Sequence, residues 1–214
     1  MDTEAQLLEA WAAGDRHAGD ELMRRYYRSI LRFFDLRAPR AAEDLTQRTL
    51  LTCAEVRNGL RDKQSFKSFL FGIARNHLLR HIRTSARESS VFEFEFDGDE
   101  SVAAGPTVSR VVALHEEQHL LLRALQTLPL DSQIVLELFY WESMPSPEIA
   151  EVLEIPLSTV TSRLSRARQG LRKAVESLHG SSRPRESLLR DIEHWSATLA
   201  TLATLEQPRP IGEG

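Results

Sequence analysis

Cysteine is almost missing from this chain: Cys53 stands alone among 214 residues, so no disulfide can close within it and no cysteine-based metal set can form. No apolar run approaches the ~18 residues that a membrane-spanning helix needs, so membrane insertion is not expected. Glycine-rich phosphate loops are missing too, and no nucleophile sits beside an identifiable base, which argues against an enzyme and against any bound cofactor. The first residues carry Asp2, Glu4 and Glu9 without the basic start of a signal peptide. A reducing cytoplasm is therefore the expected location.

What the chain does have is charge, unevenly placed. The formal net charge is -4, yet residues 1–90 hold 16 Lys/Arg against 12 Asp/Glu, while residues 91–118 hold one against seven. The acidity thus lies in one segment between two stretches with basic surfaces, and a negative total does not exclude a nucleic-acid partner.

Apolar residues recur at helical spacing nearly everywhere, and no convincing pair of alternating strands appears, so the expected fold is all-α. In the first half, Leu22, Tyr26, Ile30 and Phe33 mark one helix between Asp20 and Phe34. A second is expected from about Ala41 to Arg57 on Leu45, Leu51 and Val56. A third is expected from about Ser65 to Arg83 on Phe66, Leu70, Ile73 and Leu78. Phe69 and Phe71 cannot both face the core with Phe66 and Leu70, so at least one is expected outside, where an aromatic among basic residues suits a single strand.

The helical pattern then stops. Gly98, Gly105, Pro106 and five acids between Glu93 and Glu100 predict an acidic flexible linker over 84–110. Val91 to Phe96 alternates like a strand but has no evident partner. The expected organisation is a first domain over 1–83, this linker, a second helical domain over 111–178, and an extension over 179–214. In the extension, Leu188, Ile192, Trp195, Leu199 and Leu202 form an amphipathic seam that packs on the second domain or binds a partner.

The second half is expected to hold helices from about Val111 to Leu128 and from Asp131, a possible N-cap, to Glu142. The sharpest local signal follows. Ser146, Pro147 and Glu148 start a helix with an apolar face of Ile149, Ala150 and Leu153. Glu154 to Leu157 breaks it, and Ser158 is expected to cap a second helix carrying Val160, Leu164, Ala167 and Leu171 inward. Helix, tight turn, helix is a DNA-reading arrangement. Thr159, Thr161, Ser162, Arg163, Ser165, Arg166 and Arg168 are the candidate contacts, because short hydroxyls reach base edges and arginines meet phosphates.

One stretch argues for an enzyme. His115, Glu116 and His119 fit H-E-x-x-H, a zinc-protease spacing, with Glu142 as a candidate third ligand, although chance in a Glu- and His-rich helix explains it as well. A response-regulator activator would share the second half, but its receiver half would alternate strands and helices, which residues 1–83 do not.

Five short motifs, in order, carry a resemblance: Ala42 to Gln47, Phe66 to Asn76, Leu125 to Pro129, Glu148 to Leu153 and Thr159 to Arg168. Together the chain resembles an extracytoplasmic-function sigma factor of bacterial RNA polymerase. The resemblance implies that residues 1–83 bind core polymerase and melt the −10 element, with Asp44, Leu45, Gln47 and Leu50 at the β′ clamp helices. It implies that Arg57, Asn58, Arg61 and Lys63 hold a flipped −10 base, and that Arg75, Asn76, Arg80 and Arg83 follow the melted strand. The second domain would read the −35 duplex, the linker would thread the RNA exit path, and an anti-sigma factor is a possible further partner. Departures from the family pattern are Arg48 for Glu, Ala54 and Phe69 for Trp, Gly72 for a basic residue, Glu154 for the turn Gly and Thr161 for a frequent Lys.

Overall fold

The computed structural model describes residues 3–56, 65–92 and 116–179, and every element among them is a helix. The helices are α1 (Glu4–Ala12), α2 (Arg16–Asp35), α3 (Ala42–Glu55), α4 (Phe66–Phe92), α5 (Glu116–Gln126), α6 (Leu130–Tyr140), α7 (Ser146–Leu153) and α8 (Leu157–His179). They fall into two compact units, the first carrying α1–α4 and the second carrying α5, α6, α8 and most of α7. The all-α expectation holds.

The first unit opens with a helix that apolar spacing did not announce. Thr3 caps α1 by accepting from the Gln6 backbone N–H, and the Gln6 side chain accepts from the Thr3 N–H in return. This reciprocal cap is written in the sequence as T-x-x-Q. Gly14, at φ +104°, then turns the chain, and Asp15 caps α2 through the His17 N–H at 2.8 Å. The cap thus precedes the expected Asp20 start.

Aromatic side chains from three helices meet in the core. Phe66 of α4 takes Trp11 of α1 and Tyr26 of α2 edge-on, at centroid distances of 6.2 and 5.4 Å. Phe33 meets Phe71 the same way at 5.6 Å. Phe71 is therefore core, Phe69 is the half-buried one, and Ala74 rather than Ile73 completes the inner face of α4.

Helix α3 departs further from its expected face. Its buried positions are Ala42, Leu45, Thr46, Thr49 and Cys53, while Leu51 and Val56, expected inside, are exposed. Two threonines can occupy the core because each hydroxyl donates to the carbonyl four residues back: Thr46 to Ala42 and Thr49 to Leu45, both at 2.7 Å. The polar groups are satisfied within the helix, and only the methyls face the neighbours. Burial pushes the Cys53 thiol up to about 12.

Helix α4 continues to Phe92, so residues 84–92 are neither linker nor strand. No Gly or Pro falls between Gly72 and Gly98, and Ala86, Arg87 and Glu88 favour helix after the apolar stripe has ended. Residues 93–110 of the expected linker and the 180–214 part of the extension lie outside the described residues.

In the second unit, α8 packs on α5 and α6. Its inner stripe is Val160, Leu164, Ala167, Leu171 and Val175, as the spacing predicts, with Val175 added. Gln133 of α6 donates to the Leu128 carbonyl at 2.9 Å, closing the end of α5. Two capping expectations are corrected. Helix α6 starts at Leu130, leaving Asp131 in its first turn with no cap role, and Ser158 lies inside α8, which begins directly after Pro156.

Candidate nucleic-acid interface

Helices α7 and α8 are joined by Glu154, Ile155 and Pro156, the short turn of a helix-turn-helix. Glu154 sits at φ +54°, in the left-handed region that the absent glycine would occupy freely. The Ile155 N–H donates to the Ala150 carbonyl at 3.1 Å, and the Pro156 carbonyl accepts from Thr159 and Val160, so the turn passes directly into α8.

The seven α8 candidates divide into two groups. Thr161, Ser162, Ser165 and Arg166 are exposed and lie opposite the buried stripe. The hydroxyls of Thr161 and Ser162 donate to the Leu157 and Thr159 carbonyls at 3.2 and 3.0 Å, which leaves their oxygens able to accept from outside. Thr159, Arg163 and Arg168 are only partly exposed. On a helix turning about 100° per residue, Arg163 and Arg168 stand on opposite flanks of Ser162. Each is tied to α6. Arg163 pairs with the Asp131 carboxylate at 2.8 Å, and Arg168 donates to the Tyr140 hydroxyl at 2.8 Å with its guanidinium 5.0 Å from the Phe139 ring centroid.

The first unit carries two further surfaces. Asn76, Arg80 and Arg83 are exposed along one stripe of α4, with Arg75 partly buried beside them. On α3, Asp44 and Gln47 are exposed and Leu50 is half-buried. Leu45, the fourth position expected to touch a partner, is 3% exposed and belongs to the chain's own core. Leu51, at 64% exposure, lies on the open side of α3 instead, an apolar surface position that sequence reasoning placed inside. Arg48, which departs from the family's Glu, pairs with Asp44 one turn earlier at 2.9 Å, so the charge reversal neutralises a neighbouring acid.

Between these surfaces, the Thr52 hydroxyl and His77 Nε2 are 3.1 Å apart. Partial burial, then the positive charges of Arg80 and Arg48, hold the His77 imidazole below its ordinary value, against a smaller opposing pull from Asp44. Arg57, Asn58, Arg61 and Lys63 lie outside the described residues, as do His115 and the side chains of Glu116 and His119. Glu142, the suggested third ligand, is buried, and no cluster of three potential ligands occurs among the described residues. No described helix is long and apolar enough to cross a membrane.

Two family descriptions match the two units. Sigma-70 region 2 matches residues 20–88, and sigma-70 region 4 matches residues 118–171. The RNA polymerase sigma-H factor of Pseudomonas aeruginosa is 29% identical over 189 residues, covering 83% of this chain and 96% of the relative. The extracytoplasmic-function RNA polymerase sigma-E factor of Escherichia coli is 25% identical over 183 residues, covering 82% and 96%. Among solved structures, the sigma factor RpoE in complex with the anti-sigma factor NepR from Bartonella quintana is similar, with a TM-score of 0.57, 26% identity and coverage of 72% of this chain and 92% of that one. The fold is also that of CnrH, solved with the cytosolic domain of CnrY, at a TM-score of 0.57, 22% identity and coverage of 82% and 99%.

Described residues that are helical in every element, with a basic stripe in one unit and a helix-turn-helix in the other, have the architecture of a nucleic-acid-binding protein. More narrowly, the chain belongs to the extracytoplasmic-function sigma factors of the sigma-70 family. It is an RNA polymerase sigma factor of promoter-specific transcription initiation.

Proposed function

We propose that the second unit reads the −35 duplex through the outer face of α8, with Thr161, Ser162, Ser165 and Arg166 at the major groove. The single observation behind this reading is that face: short hydroxyls and one untethered arginine opposite a fully apolar stripe. Arg163 and Arg168 flank it as secondary contributors, and Thr159 supports the entry of the helix.

The first unit binds core polymerase and the melted −10 strand. Asp44, Gln47 and Leu50, joined by Leu51, meet the β′ clamp helices, with Leu45 holding α3 in place underneath. The Asn76, Arg80 and Arg83 stripe follows the unpaired strand with Arg75, while Arg57, Asn58, Arg61 and Lys63 take the flipped base. The acidic segment over 93–110 threads the RNA exit path, where its negative charge substitutes for a nucleic-acid strand. The protein works in the cytoplasm by differential binding, without bond chemistry or a cofactor, and an anti-sigma factor is a fitting regulator because both solved relatives are bound to a partner.

Run-off transcription with purified bacterial core polymerase, this protein and DNA upstream of its own operon tests the reading. Promoter-specific transcripts that persist with zinc chelator and weaken with Arg166→Ala are expected. No core binding and no transcript would overturn it.

A further inference from the structure

Asp131 has no cap role, but it lies where α6 meets the edge of the DNA-facing surface of α8. Its side chain is 52% exposed, whereas that of Arg163 is 24% exposed, so the arginine stem is largely covered and the charged heads meet near the solvent boundary. A carboxylate in the first turn of a helix is also favoured by the helix dipole, which supports Asp131 in that place. Two effects on an approaching duplex follow. The carboxylate engages a guanidinium that would otherwise turn to a phosphate, and it puts negative charge beside a polyanion. Arg166, by contrast, donates only to the Ser162 carbonyl within its own helix, at 3.3 Å, and keeps its charge uncompensated on the exposed face.

We propose that Asp131 is a built-in brake on sequence-independent duplex binding, acting by holding Arg163. The inference rests on the reading of α8 as the duplex-facing helix. Phosphate contacts carry no sequence information, so restraining one arginine lowers attraction to the many non-promoter sites without touching the hydroxyls and Arg166 that face the bases.

Fluorescence anisotropy of the full-length chain on a labelled non-promoter duplex, over a series of salt concentrations, tests this. Asp131→Asn is expected to tighten binding about two- to fivefold, the scale of an exposed ion pair. It should also steepen the slope of log affinity against log salt by about one phosphate contact. Asp131→Ala should do the same, and with Arg163→Ala already present both changes should alter the slope clearly less, because only the repulsion by the carboxylate is then removed. Thermal melting checks that the variants remain folded. Unchanged or weaker binding by both Asp131 variants, while Arg166→Ala still weakens binding, overturns the brake alone. Absent duplex affinity in the unmodified chain, or an unaffected Arg166→Ala, overturns the role given to α8 and the brake with it.

Discussion

Gly19 and Trp11 occupy one space: a Cβ added at residue 19 would stand 2.6 Å from Cδ1 of the Trp11 indole. Helix α2 can thus lie against the ring only where it carries no side chain. Gly19→Ala is expected to destabilise the protein by about 1–3 kcal/mol, because overpacking outweighs the roughly 0.5–1 kcal/mol that alanine gains in a helix. Thermal melting measures the loss, and Trp11→Leu in the same chain should reduce it.

Glu154 is the mirror case, a side chain where glycine would be easier. Its left-handed backbone costs about 1–2 kcal/mol relative to the right-handed region. Glycine removes that strain but adds freedom to the unfolded chain. Glu154→Gly is expected to raise stability by up to about 1 kcal/mol, read as a higher urea midpoint at constant slope. A lowered midpoint would mean that the Glu154 side chain contributes more than the strain it imposes.

His77 makes the first unit sensitive to acid. Its imidazole is held below the ordinary value mainly by burial, so the unfolded chain binds the proton more readily than the folded one. Stability contributed by the neutral ring is present above the unfolded value of about 6.5 and is lost as pH falls from there toward the lowered folded value. Melting temperatures across pH 7.5 to 5 should fall more steeply for the unmodified chain than for His77→Gln, whose side chain does not titrate. Parallel profiles would remove His77 as the cause.

Arg168 is expected to matter more to the fold than to DNA. Arg168→Lys keeps the charge but loses the stacking on Phe139 and the geometry of the bond to Tyr140, a change of about 1 kcal/mol in stability. The salt dependence of duplex binding should stay near that of the unmodified chain. A flatter salt slope with Arg168→Gln, which removes the charge, would show instead that Arg168 meets a phosphate.

Much of this molecule is legible where local rules suffice. The inner stripe of α8 and the turn at Glu154 follow from spacing and turn chemistry alone. Where reading fails, a polar residue has found a partner that spacing does not show. Thr46 and Thr49 look like surface residues until their hydroxyls are seen to bond four residues back, and once they are inside, Leu51 is turned out. The end of α4 fails for another reason: helix propensity continues to Phe92 after amphipathicity has ended. The ties of Arg163 and Arg168 to α6 are out of sight for a similar reason, since the carboxylate and the hydroxyl that hold them are 32 and 28 residues away.

Those two tethers have a geometric consequence. Asp131 and Tyr140 lie at the two ends of α6, and the arginines they hold are five positions apart on α8. Together they index the rotational phase of the reading helix, because a rotation that kept one tether would break the other. Inserting a single residue between Arg163 and Arg168 would turn the downstream portion by about 100° and leave the two attachments out of register. In α8, length is therefore as strictly constrained as composition.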